Sequence, residues 1–184
     1  MLIYWGQVEK NCWLQYIEKV NNKEDFMKIA IYPGSFDPVT NGHLDILKNA
    51  SEIFDKVIIA VAHNGEKKGF LPVDVRVDLI RKSISGFDNV EVDAFEGLTI
   101  DYAKKHGAEV LIRGLRAVSD FEYEMQLSQT NSALCEEIKT VFLTTKPEFN
   151  FISSSTIKEI RANGGDISKF VPTPVYEYLI KEVK

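Results

Sequence analysis

Five short apolar runs constrain this chain more than any other feature. They fall at residues 28–32, 56–62, 90–95, 110–112 and 140–144, rich in Val, Ile and Phe with little polar alternation. Strands of that composition are buried on both faces, as in parallel sheets. Helical patterns lie between them. Leu44, Leu47, Ala50, Ile53 and Phe54 sit at helical spacing within 43–54. Pro72 suits the first turn of a helix over 73–84. Gly107 suits the stop of a helix over 99–106. Ser119 and Asp120 are good N-cap residues for a helix that runs to Leu134. Two more helices are expected, one over 154–162 ending at Asn163, Gly164 and Gly165, the other starting near Thr173 and Pro174. Strands alternating with helices define an α/β fold with a parallel sheet and right-handed crossovers.

A length of 184 residues suits one domain with a good core. Residues 1–26 stand apart as an N-terminal extension of unassigned role. They hold Trp5 and Trp13 and end in a polar cluster at 21–25. Trp13, Ile17 and Val20 have helical spacing, and Met27 looks like a natural start for a domain over 27–184. The net charge of −5 argues against nucleic-acid binding through a basic surface. A small anionic ligand stays open, because local charge in a cleft decides its binding. Cys12 and Cys135 form no CxxC pair and have no histidines at metal-ligand spacing, so free thiols in a reducing compartment are expected. No apolar run approaches the roughly 20 residues that span a bilayer. No signal peptide is evident, and the cytoplasm is the expected location.

The chemistry concentrates where the first strand gives way to the first helix. Pro33 and Gly34 suggest a tight turn. Ser35 offers a hydroxyl and a backbone N–H. Asn41 and Gly42 precede His43 at a helix N-terminus, where the dipole and free N–H groups favour anions. The plainer alternative is a capping loop with a structural histidine. The pattern is neither GxGxxG nor GxxxxGK[ST], so neither a dinucleotide fingerprint nor a P-loop is supported. A second constellation is Arg113 and Arg116 flanking Gly114 and Leu115 at a strand's end. Arginine forks match phosphate oxygens, and a strand's carboxyl end points into a ligand crevice. The alternative is arginines bonded to Asp120, Glu122 or Glu124. A third is the serine-rich helix entry within 147–158, where hydroxyls and free N–H groups converge. Lys67 follows the second strand and by itself reads as a loop lysine. His106 ends a helix beside Gly107, and His63 ends a strand near the site.

Thr40, Asn41, Gly42 and His43 resemble the (H/T)xGH signature of the nucleotidyltransferase superfamily, which shares ancestry with the class I aminoacyl-tRNA synthetases. With the segments at 32–38 and 111–125, residues 27–183 resemble the phosphopantetheine adenylyltransferase family. The segment at 147–158 looks like that family's C-terminal nucleotide motif, in the place of the synthetases' KMSKS loop. The resemblance implies a single-domain, Rossmann-like, five-stranded parallel sheet of order 3-2-1-4-5, with helices on both faces. It implies transfer of AMP from ATP to 4′-phosphopantetheine, giving dephospho-coenzyme A and pyrophosphate. It implies Mg²⁺ on the triphosphate without a protein metal cage, and a homohexamer. Carried over by position, His43 would stabilise the transition state with Lys67. Ser35, Phe36, His43, Gly114, Leu115, Arg116, Glu124, Phe149, Asn150, Phe151, Ile152, Ser153, Ser154 and Ser155 would hold ATP. Ser35, Lys67, Thr99 and Arg113 would hold the acceptor. Ser35 stands where many members have threonine, and Thr99 occupies a variable position. The rivals are a nucleotidyltransferase acting on nicotinate mononucleotide or using CTP, and a non-catalytic nucleotide-binding regulator.

Overall fold

The computed structural model describes residues 27–63, 69–116 and 118–182. The strands are β1 (Ile29–Gly34), β2 (Lys56–His63), β3 (Val90–Glu96), β4 (Val110–Leu115) and β5 (Lys139–Thr144). Between and after them come α1 (Asn41–Ile53), α2 (Val73–Ser83), α3 (Thr99–Lys105), α4 (Val118–Leu134), α5 (Ser154–Ala162) and α6 (Thr173–Glu182). A 3₁₀ turn, Pro147–Phe149, precedes α5. All strand pairs are parallel, in the order β3-β2-β1-β4-β5. The expected fold class, sheet order and helices on both faces are all present.

Successive strand side chains point to opposite faces, which divides the core in two. Ala30, Tyr32, Val57, Ile59, Val61 and Ile112 face one side. They pack against Ile46, Leu47 and Ala50 of α1, Leu79 and Ile80 of α2, Ile157 of α5, and Val175 and Leu179 of α6. Ile31, Ile58, Ala60 and Leu111 face the other side, with Ile100 and Ala103 of α3, Cys135 and Ile138. The strands buried on both faces are the inner ones. β3 and β5 are edges, and Glu91, Asp93 and Glu96 of β3 meet solvent. Charge on an edge strand discourages further pairing. Cys135 is a free, buried thiol. Cys12 lies outside the described residues, as does the helix suggested by Trp13, Ile17 and Val20.

One expectation needs correction. Pro33 and Gly34 do not turn; they continue β1, in register with Ala60 and Val61 of β2. The chain turns afterwards, at Phe36 (φ 47°) and the cis bond between Asp37 and Pro38. Pro33 still marks a break. β1 pairs with β4 only through Ala30↔Val110 and Ile31↔Leu111. The Pro33 carbonyl faces β4 and accepts from Arg113 Nη1 at 3.2 Å. A strand residue's N–H and carbonyl share a side, so proline withholds the donor that would continue this ladder. The sheet therefore opens at the carboxyl ends of β1 and β4, its topological switch point.

Candidate active site

Above that opening lies a cavity of about 310 Å³. Pro33 to Phe36 form one wall, Arg113, Gly114 and Arg116 another, and Ser153, Ser154 and Ser155 a third, with His43 among them.

The first wall is held from behind. Both oxygens of the buried Asp37 carboxylate accept backbone N–H groups, from Phe70 at 2.7 Å and Leu71 at 2.8 Å. Arg76 of α2, also buried, donates through Nε to the Leu71 carbonyl (3.0 Å) and through Nη1 to the Ser35 carbonyl (2.8 Å). These bonds hold Phe36 in a left-handed backbone, which costs of order 1–2 kcal/mol for a residue with a Cβ. The Phe36 ring stands edge-on between Tyr32 (5.3 Å) and His43 (5.1 Å). It passes so close to Gly34 that a Cβ there would lie 3.0 Å from two ring carbons. Glycine at 34 serves close approach rather than a turn: any larger residue would push against the Phe36 ring.

His43 is fixed by the start of its own helix. Thr40 is the N-cap of α1. Its Oγ1 accepts the His43 N–H (3.4 Å), and its own N–H donates to His43 Nδ1 at 3.1 Å. The hydroxyl also lies 3.0 Å from Nδ1. This reciprocal capping box satisfies two donors of the first turn. Burial pushes the imidazole down to about 4, with the nearby Arg116 charge acting in the same direction. Burial also raises the Tyr32 phenol above its ordinary value, so it stays protonated.

The second wall answers the question of the arginines' partners. Arg113 grips Glu124 of α4 with both edges of its fork, Nε to Oε2 and Nη2 to Oε1 (2.8 Å). Arg116 grips Asp120 in the same way at 3.1 and 3.3 Å and donates to the Ile152 carbonyl at 3.0 Å. Pairing with Asp120 and Glu124 is thus real, yet Arg113, Arg116 and Glu124 still line the cavity. Each pair presents a dipole rather than a bare cation to the cavity.

The third wall is the N-terminus of α5. Ser153 caps it, its Oγ accepting the Thr156 N–H at 3.0 Å. Ser154 Oγ donates to the Pro38 carbonyl at 2.9 Å, joining this wall to the first loop. Asp45 of α1 accepts the Lys146 N–H at 2.8 Å and so anchors the 3₁₀ turn that leads to Ile152.

Of the residues singled out by sequence, Ser35, Phe36, His43, Arg113, Gly114, Arg116, Glu124, Ile152, Ser153, Ser154 and Ser155 line one cavity. Leu115, Phe149, Asn150 and Phe151 sit in adjoining segments but not in its lining. Phe149 packs on the core, Asn150 accepts from the Thr145 hydroxyl (2.8 Å), and the exposed Phe151 leans on Phe170. Thr99 opens α3 after the edge strand β3 and is not in the cavity's lining. Lys67 lies outside the described residues. His106 directs Nδ1 to the Tyr102 carbonyl (2.9 Å) at the end of α3, and His63 lies 4.0 Å from Glu96. Tyr32, Ile46 and Thr145 line the cavity without having been singled out. The position of Tyr32 and Thr145 near the carboxyl ends of β1 and β5 is the signal that marks them.

The family described as cytidylyltransferase-like matches residues 31–160. A phosphopantetheine adenylyltransferase of Alkaliphilus metalliredigens is 52% identical over 156 residues, 85% of this chain and 99% of that protein. One from Lachnoclostridium phytofermentans is 54% identical over 153 residues, 83% of this chain and 94% of that protein. The crystal structure of a putative nicotinate-nucleotide adenylyltransferase from Vibrio parahaemolyticus superposes with a TM-score of 0.66 at 21% identity. That match covers 85% of this chain and 94% of the other, and speaks to the fold alone.

Proposed function

The chain belongs to the phosphopantetheine adenylyltransferase family, and we propose how its cleft moves AMP from ATP to 4′-phosphopantetheine, giving dephospho-coenzyme A and pyrophosphate. The observation that carries the assignment of residues is convergence. His43 at the entry of α1 and Ser153 to Ser155 at the entry of α5 line the same cavity as the ends of β1 and β4. Helix entries present free N–H groups and a positive dipole end to phosphates.

The acceptor is a phosphate anion. One of its oxygens bonds to the α-phosphorus while the bridging oxygen to the β-phosphate leaves with pyrophosphate. No proton has to be removed from the nucleophile, so the site needs alignment and charge stabilisation rather than a base. His43 contacts the α-phosphate region, and the serines of α5 hold the triphosphate. Ser35, Phe36, Gly114, Leu115 and Arg116, with the 149–155 segment, frame ATP. Arg113 and Lys67 are assigned to the acceptor phosphate, and Thr99 to the acceptor's remaining contacts. Mg²⁺ accompanies the triphosphate, adding charge stabilisation there. The carboxylates of the cleft and its rim, Glu124 and Asp120, are already held by Arg113 and Arg116. The ion would therefore be held by phosphates and water, its usual habit.

A homo-oligomer, in this family a hexamer, is part of the proposal. Its support is α4, which exposes Phe121, Tyr123, Met125 and Leu134. Among the described residues no helix is long and apolar enough to cross a membrane. A cytoplasmic location is proposed with the biosynthetic role.

The deciding experiment measures pyrophosphate release from ATP or CTP with 4′-phosphopantetheine or nicotinate mononucleotide as acceptor. Release is expected with ATP and 4′-phosphopantetheine alone. Release only with nicotinate mononucleotide, or only with CTP, overturns the assignment. ATP binding without release from any pair would point to a regulator.

A further inference from the structure

We propose that Thr40 is a positioning residue that fixes His43 as a neutral imidazole with its proton on Nε2. The site would then offer the α-phosphate a dipolar N–H donor, neither a cation nor a base. This inference rests on the adenylyl-transfer reading for its catalytic consequence, but not for its geometry.

The argument begins with a donor whose identity is certain. A backbone N–H can only donate, and the Thr40 N–H points at His43 Nδ1 from 3.1 Å. Nδ1 must therefore be the ring's acceptor, which leaves the proton on Nε2. The Thr40 hydroxyl completes the box. Its oxygen accepts the His43 N–H and lies 3.0 Å from Nδ1, where the hydroxyl proton can share the one Nδ1 lone pair with the backbone N–H. Protonating Nδ1 would set one N–H against another and break the Thr40 bond.

The surroundings act in the same direction. The half-buried ring is partly desolvated, and Arg116, from the end of β4, disfavours a second positive charge there, an effect that Asp120 on two of its nitrogens reduces but does not cancel. Arg113, on the same strand, has its charge countered by Glu124 of α4. The lining of α5 contributes only serine hydroxyls, and the 35–36 loop contributes the edge-on Phe36 ring. The Glu124 carboxylate would favour an imidazolium, but it is held by both edges of the Arg113 fork.

A glutamine at the third position of a capping box makes the same reciprocal bond. Its amide oxygen can accept the Thr40 N–H while its NH₂ takes the place of Nε2–H. His43→Gln should therefore keep turnover within about 30-fold of the natural protein. His43→Ala, which keeps neither the box nor the donor, should lose at least ~100-fold, the scale of one charge-stabilising donor. ATP affinity should stay within about tenfold in both. Turnover in His43→Gln as low as in His43→Ala, with both variants folded, would overturn the proposal.

A second measurement needs no activity. Long-range ¹H–¹⁵N spectra of the uniformly labelled protein at pH 7 should show a protonated Nε2 and an unprotonated Nδ1 for His43. An imidazolium signature, or the proton on Nδ1, would overturn the proposal even if the enzyme is fully active. Thr40→Val keeps the backbone N–H but removes the N-cap oxygen, so it should loosen the ring's position, broaden the His43 signal and lower kcat more than it raises KM for ATP. Thr40→Ser should restore the signal and kcat. An undisturbed His43 signal and kcat in Thr40→Val would overturn the role of Thr40 as a positioning residue. Failure of the acceptor panel alongside the expected spectrum would sink the adenylyl-transfer reading and leave the tautomer assignment standing.

Discussion

Arg76 shows how much of this site depends on single side chains that never face it. Its guanidinium is buried and bonds two carbonyls of different segments, Leu71 and Ser35. Arg76→Ala should cost about 2–4 kcal/mol in a urea titration, because buried acceptors lose charged donors. Arg76→Lys should recover little of it, since one ammonium cannot reproduce a fork aimed at two carbonyls. His43 carries a pH dependence with a definite sign. Its folded value of about 4 lies below the ordinary 6.5. The unfolded chain therefore binds more protons between those values, and acid favours it there. The contribution is fully present above about pH 6.5 and is lost as pH falls toward 4; it amounts to at most about 3 kcal/mol. Comparing urea midpoints at pH 4.5 and 7 in the natural chain and in His43→Gln checks this. The natural chain should lose more stability than the variant on acidification.

At the scale of elements, strands and helices were legible because periodicity and burial agree for the inner sheet. Val57, Ile59 and Val61 face one core while Ile58 and Ala60 face the other, so the run shows no polar alternation. The turn at Pro33 and Gly34 was misplaced because local propensity cannot reveal that β2 offers partners to both residues. His43 and the α5 serines were legible as helix-entry chemistry. Asp37, Arg76 and Asp45 were not, because their partners lie 33, 41 and 101 residues away in the chain. Asp45 ties α1 to the 3₁₀ turn that precedes α5. Asp45→Ala should release that turn and raise KM for ATP several-fold while costing about 1–3 kcal/mol for the lost hydrogen bond to a charged acceptor. Unchanged ATP kinetics in a folded Asp45→Ala would show that the turn holds its place without the carboxylate.

For the whole molecule, a chain beginning at Met27 should fold and turn over as the full chain does, because the sheet, both cores and the described cleft lie within 27–182. Circular dichroism and the pyrophosphate assay on both forms check it. Glutamate at both Tyr123 and Leu134 should shift the sedimentation of the assembly toward the monomer, since the two exposed side chains stand three turns apart on one side of α4 and each would gain a charge there. The opening beside Pro33 has a consequence for how this protein fails. Its rim is built on β1 and β4, two of the three inner strands, and backbone amides in such strands are expected to exchange with solvent through near-global opening. The amides of Ala30, Ile31, Leu111 and Ile112 should be among the slowest to take up deuterium. Heat should therefore abolish turnover over the same few degrees in which it abolishes the near-ultraviolet signal. There should be no interval in which the enzyme is folded but inactive.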